Sequence, residues 1–178
     1  MAVQGYVKVE QGTAVVWGHP GGSGVTKDLS LNNLGIDAGR MGVYADLGST
    51  FEEEHAVFLW VESGTAPSAG KTVQLFLAAS HTASNWAGGV SGADAAYKAA
   101  EEDEWKKQLG PPVVTLIATN DANTIMYQAP RLWRPPAQYV APMVLNKLGV
   151  AVRNQGTPAD NGSRVILVPR RYLQQDAA

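Results

Sequence analysis

The chain has 178 residues, 45% of them hydrophobic and 17% charged, with a formal net charge of −2, 19 glycines, 10 prolines and no cysteine. That length suits one domain with a substantial core. The near-neutral balance gives no basic field for nucleic acid or anionic lipid, and the lack of cysteine excludes disulfides, thiolate catalysis and cysteine zinc sites.

Met1 to Gly12 contains the alternation Val3-Gln4-Gly5-Tyr6-Val7-Lys8-Val9 and is expected to be a strand or an extended arm. It lacks a basic n-region and an apolar h-region, so no signal peptide is expected, and no apolar run approaches the ~18 residues of a membrane span. Thr13 to Trp17 is a short β-prone run, broken by the glycine-rich loop Gly18-His19-Pro20-Gly21-Gly22-Ser23-Gly24. Leu29, Leu31 and Leu34 alternate with polar residues, and Gly39 to Gly48 reads as a strand bracketed by glycines. Val57-Phe58-Leu59-Trp60-Val61 is continuous, aromatic and β-branched, the pattern of a buried strand. Thr72 to Ala79 is another strand, after a turn holding Pro67.

Ser80 to Gly92 reads as a loop. Residues 93–109 are dominated by Ala, Lys, Glu and Gln, all good helix formers, and Gly110-Pro111-Pro112 ends them, so a partly helical insertion outside the sheets is expected. Val113 to Ala118 and Thr124 to Gln128 are predicted strands of a hairpin turning at Asn120-Asp121-Ala122-Asn123. Arg131 to Pro136 reads as an extended connector. Tyr139 to Lys147 and Val165 to Val168 are strands with a turn at Asp160-Asn161-Gly162 between them. Pro142 removes one ladder donor, which predicts an edge strand or a bulge, and Pro169 is expected to close the last strand. Residues 170–178 read as a polar tail.

Roughly eight or nine short strands with turn residues between them predict an all-β fold: a single β-sandwich, jelly-roll-like, with a short partly helical insertion. The expected organisation is an arm at 1–12, the sandwich at 13–169 with its insertion at 93–109, and a tail at 170–178. The predicted core includes Val57, Leu59, Val61, Val73, Leu75, Val114, Leu116, Val144, Val165 and Leu167.

The residues carry no catalytic signature, so no enzyme activity, cofactor or metal is expected. His19, His55 and His81 lack ligand spacing. The acidic run at Glu101 to Glu104 lacks the alternating oxygens and central glycine of a calcium loop. Ser80-His81 with Asp94 has no nucleophile elbow, and Gly18 to Gly24 lacks the Gly-Lys-Ser/Thr of a phosphate loop. The candidates for interaction are Trp86, Trp105 and Trp133, in connectors, with Tyr6 and Val7 in the arm and Arg170, Arg171 and Tyr172 in the tail. Aromatic and arginine side chains are favoured at interfaces.

Three stretches carry a resemblance: Gln11 to Trp17; Ala93 to Lys98 with Glu101-Glu102-Asp103-Glu104-Trp105-Lys106-Lys107-Gln108-Leu109; and Tyr139 to Lys147 with Val165 to Pro169. Together they resemble small virion structural proteins of tailed bacteriophages, over roughly Gln11 to Pro169. The resemblance implies a decoration or cement protein of jelly-roll type that binds the major capsid protein on the outside of the shell, as a homo-oligomer, with no nucleic acid or membrane partner. The expected location is the virion surface after synthesis in the host cytoplasm. The alternative within the group is a tail- or head-fibre-associated protein that contacts host glycans through its tryptophans.

Overall fold

The computed structural model describes residues 6–97, 102–122, 125–153 and 162–175. In chain order its elements are β1 (Tyr6–Gln11), β2 (Val15–Gly18), β3 (Lys27–Asp28), β4 (Gly39–Met41), β5 (Ala45–Asp46), β6 (Glu54–Glu62), β7 (Thr72–Ser80), β8 (Ala95–Tyr97), helix α1 (Glu102–Leu109), β9 (Val114–Ile117), β10 (Ile125–Met126), β11 (Arg131–Trp133), β12 (Tyr139–Lys147) and β13 (Arg164–Gln175). They form an all-β sandwich. One sheet runs β10-β6-β13-β2-β3, with β11 also on β6 and β1 also on β13. The other runs β8-β4-β12-β7-β9, with β5 also on β12. We call these the front and the back sheet.

Period-two alternation decides what each strand buries. In the front sheet Val57, Leu59 and Val61 of β6 and Val165 and Leu167 of β13 point inward; in the back sheet Val73 and Leu75 of β7, Val114 and Leu116 of β9 and Val144 of β12 do. All ten predicted core residues are buried. Trp17 and the loop residues Leu29, Leu31 and Leu34 join them, so the leucine alternation after the glycine loop supplies core side chains without forming a long strand.

The pairings are nested in sequence. β7 pairs with β9, β6 with β10 and β11, β4 and β5 with β12, and β2 and β1 with β13. This corrects the predicted hairpin: β9 stays in the back sheet and β10 crosses to the front. Pairing β9 with β7 puts Val114 and Leu116 beside Leu75 and Val73 in the core, which a local turn at Asn120 could not do. Of that turn Asn123 lies outside the described residues, as do Asp160 and Asn161 of the next one. The strands flanking the latter, β12 and β13, also lie in different sheets.

Both proline expectations are corrected. Pro142 lies in the middle of β12, a central strand. Its carbonyl accepts from Gly42 N at 2.9 Å, so its missing donor faces the gap between β4 and β5, where no ladder bond is needed. Pro169 does not end β13. Its carbonyl accepts from Gly12 N at 3.0 Å, in the gap between β2 and β1. The tail is therefore a strand: Arg170 to Gln175 pairs with Gln11 to Tyr6 in a two-stranded ribbon, and the arm and tail hold each other. Arg131 to Trp133 of the expected connector pairs with β6.

The insertion is helical only in part. Ala95–Tyr97 adds to β4 at the sheet edge, against its helix-favouring composition, because Tyr97 packs over Gly39 and its hydroxyl donates to Gly88 O at 2.7 Å. The helix α1 then ends at Gly110, which adopts φ 76. Lys98 to Glu101 lie outside the described residues.

Asn146, fully buried on β12, holds the leucine loop. Its Nδ2 lies 2.8–3.0 Å from the carbonyls of Leu34, Gly35 and Val150, and its Oδ1 accepts from Leu148 N at 2.9 Å. Asn146→Asp would aim an acceptor at those carbonyls. We expect it to cost at least about 1–3 kcal/mol, measured by denaturant unfolding. A Cβ at Gly42 would lie 2.9 Å from the Pro142 ring and 3.2 Å from both Asp28 O and Trp17 Cδ1. Gly42→Ala is expected to cost about 1–3 kcal/mol through overpacking, more than Gly12→Ala, which meets only the Pro169 ring. Equal losses would contradict this packing.

Candidate interaction surface

The two outer faces of the sandwich are both apolar, and among the described residues the insertion covers one of them. On the back sheet Phe76, Ala78, Ala141, Met143 and Leu145 point outward and are buried beneath Tyr44, Trp86, Val90, Tyr97 and Leu109. The segment between β7 and β9, with α1, is thus a third layer over that sheet. Within it Gly88 N donates to Gln108 Oε1 at 2.7 Å, and Gly88 has no room for a Cβ against Leu109.

On the front sheet the alternation that sends Leu59 inward sends Phe58 and Trp60 outward. The register sets Phe58 beside Ile166 and Ile166 beside Val16, and Ala56 beside both Val168 and Leu132. Phe58, Trp60, Ile166, Val168 and Val16 are partly exposed, and Leu132 is 53% exposed. An antiparallel sheet with one face on the core normally turns polar side chains to water on the other. Among the described residues the insertion and its helix pack on β7 of the back sheet and not on this face. The continuous run Val57 to Val61, read from sequence as a buried strand, is therefore half core and half surface.

The face has a charged border. At one end the Arg164 guanidinium lies 5.5 Å from the centre of the Trp60 ring, and Arg153 pairs with Glu62. At the other end Arg170 lies 3.6 Å from Glu54, Tyr172 donates to Glu54, and Arg171 pairs with Glu52 at 2.9 Å. Towards the β10 edge the apolar surface turns the corner. Ile125, Tyr127 (72% exposed) and Ile117 (65% exposed) line a shallow groove between the end strands of the two sheets. Residues 111–130 there carry a single charge, Asp121. An apolar centre inside a rim of arginines and tyrosine is the composition of a protein interface.

The predicted interaction residues are dispersed. Trp86 packs in the back layer, 5.9 Å from the Tyr44 ring, with its indole N–H donating to Ala83 O at 3.2 Å. Trp133 packs against the core on the inner side of β11. Neither is presented as a flat platform. Arg170, Arg171 and Tyr172 lie on the ribbon, tied to the protein's own Glu52 and Glu54 rather than turned to a foreign acidic surface. Tyr6 and Val7 lie in β1 opposite Gln175 and Gln174; their side chains, and that of Trp105 in α1, lie outside what the structure describes. Sequence reasoning missed Phe58, Trp60, Ile166 and Leu132. The available signal was that β6 and β13 are apolar at both parities.

The polar clusters have internal partners. Burial alone would push the Asp94 carboxyl up. Arg40 Nε at 2.6 Å and the Ser30 hydroxyl and amide hold it below the usual carboxylate range instead. It is spoken for, and His81 is exposed. Burial also opposes ionisation of Glu102, but Lys106 and Lys147 hold it low, tying α1 to β12. Among the described residues no group of three or more His, Cys, Asp or Glu is placed to hold a metal ion.

Comparison of this chain with protein-family models, curated proteins and solved structures finds no match.

The two parities of β6 should respond differently to truncation. Leu59→Ala is expected to cost about 2–5 kcal/mol, and Phe58→Ala clearly less, since its partly exposed site leaves no enclosed cavity behind. Equal losses in denaturant unfolding would mean that the outward face is covered too.

Proposed function

We propose that this chain is a non-enzymatic virion structural protein that attaches to the outside of a shell of major capsid protein, with the front sheet's outer face as its attachment surface. One observation carries the attachment: of two apolar outer faces, one lies beneath the chain's own insertion, and the other leaves Leu132 half exposed and Phe58, Trp60 and Ile166 partly exposed. Exposed apolar patches rimmed by polar residues mark interaction sites. The capsid as partner comes from the resemblance to phage virion proteins in the three stretches above.

The strand order supports a finer reading of the fold as a jelly roll. β2-β13-β6 with β10 and β11 in one sheet, and β4-β12-β7-β9 in the other, follow from rolling up one long ribbon of nested antiparallel pairs. Jelly rolls are common in viral capsid proteins, which agrees with the virion reading by analogy of fold. Copies repeated on a symmetric lattice would bind through the sum of modest contacts, and association between copies on local symmetry axes fits the preference for closed symmetry.

The test is electron microscopy of particles with and without the protein, paired with variants of the face. Regular density at capsomer junctions is expected. Trp60→Ser combined with Leu132→Ser should weaken shell binding at least tenfold while leaving the far-ultraviolet spectrum unchanged. Density confined to the tail, or full shell occupancy by the folded double variant, would overturn the proposal.

A further inference from the structure

His55 is the buried titratable group that the attachment surface does not use. It is 2% exposed and sits on the inner side of β6. Pro169 of β13 and Trp133 of β11 are its cross-strand neighbours. It lines a cleft of about 230 Å³ at the end of the sandwich, together with Thr13, Asp46, Thr50, Glu52 and Pro169. Its Nδ1 is buried and has no hydrogen-bond partner among the described residues. This is also the end at which the β1–β13 ribbon leaves the body, since β13 changes partner from β2 to β1 at Pro169.

We propose that His55 is a pH-operated latch for this ribbon. Charged residues lie on or beside every neighbouring element except β2. Asp46 is on β5 and Glu52 precedes β6. Glu54 is on its own strand with opposite parity, Arg131 and Arg134 are at β11, and Arg170 and Arg171 are on β13. Thr13 and Val15, at β2, contribute none. The Asp46 carboxylate is engaged by Gly48 N at 2.8 Å and Gln138 Nε2 at 2.7 Å. Glu52 is engaged by Arg171, whose Nε and Nη2 lie 3.0 and 2.9 Å from Oε1.

A neutral imidazole is tolerated in this interior, whereas an imidazolium needs an acceptor for each N–H. The carboxylate whose charge acts on His55 is Glu52, the same group that fastens Arg171. Protonation draws Glu52 towards the imidazolium and away from Arg171, and the ribbon loses a tie to the body. Burial holds the imidazole below its usual range, with Glu52 opposing in part. The sign follows. A histidine whose folded pKa is depressed contributes stability that is complete above its unfolded value of about 6.5 and is lost as pH falls towards the folded value. The latch is closed at neutral pH and opens on acidification.

Amide hydrogen exchange of the full chain at pH 7.5 and pH 5, corrected for intrinsic rates, tests this. Peptides covering 6–11 and 170–175 should lose about two- to fivefold protection at pH 5 relative to β7 in the wild type and in a His19→Gln/His81→Gln control, the range that one surface tie allows. The step should vanish in His55→Gln, and Glu52→Gln should leave the ribbon weakly protected at both pH values. A pH-independent ribbon in the wild type, or a step that persists in His55→Gln, overturns the latch. Should His55→Gln fail to fold, the wild type still decides: ribbon amide shifts must follow the His55 ring-proton titration midpoint, and a different midpoint refutes the coupling.

Discussion

Each sheet is organised by a glycine placed against a proline in the middle of a central strand. Pro142 in β12 and Pro169 in β13 each lack a donor on the side where the neighbouring edge changes from one short strand to another. At each gap a glycine amide reaches the proline carbonyl, and no Cβ fits there: one at Gly42 would lie 2.9 Å from the Pro142 ring, one at Gly12 2.7 Å from that of Pro169. An unsatisfied buried backbone group costs about 1–3 kcal/mol, and a proline in a continuous central ladder would impose one on its neighbour. Breaking the neighbouring strand removes that cost. The break at Gly42 also frees the carbonyl of Val43, which accepts the buried Trp17 indole N–H from across the core at 2.6 Å. The two sheets are thus linked where one of them is interrupted.

The outer faces then diverge for a reason of connectivity. The long link between β7 and β9 contains β8 and α1 and folds back over the back sheet, where Leu109, Tyr97 and Trp86 cover Phe76 and Met143. The link between β12 and β13 is shorter, and of its residues 154–161 lie outside the described structure. Phe58, Trp60 and Ile166 on the front sheet have side chains as large and as apolar as those beneath the insertion. The face therefore has the chemistry of an interior and the position of a surface.

The core was legible because its residues obey one periodicity wherever the strand is long: Val57, Leu59 and Val61, or Val73 and Leu75. What lay outside the core was harder to read. A strand apolar at both parities, such as Val57 to Val61, does not say which parity faces the core or whether a second layer covers the other. The hairpin expected at Asn120 failed because turn chemistry reports a change of direction and not which partner follows. Pro142 and Pro169 were read as strand breakers, since their tolerance depends on a gap in a different strand, supplied by Gly42 and Gly12 from far along the sequence. Tyr97 joined a sheet edge against its helical surroundings because Gly39 left room for its ring. Trp86 and Trp133 were read as lying free in connectors, but each packs, partly buried, against an apolar cluster.

Among the described residues, the ties of the terminal ribbon to the body beyond its own backbone pairing are few. The ties from Arg170, Arg171 and Tyr172 to Glu54 and Glu52 lie at the surface, where single ion pairs contribute about 0–1 kcal/mol each. Removing one of them is small against the stability of the sandwich and large against the freedom of two paired strands. Val9 and Tyr172, opposite each other in that ribbon and both about half exposed, extend the outer face of the front sheet past Arg170. The rim of the proposed attachment surface and the lever of the proposed latch are thus the same residues. If both readings hold, a change in ribbon order at the His55 end alters the border of the face without touching Phe58, Trp60 or Ile166 at its centre. The centre would then set how strongly the protein adheres, and the ribbon the conditions under which its border is complete.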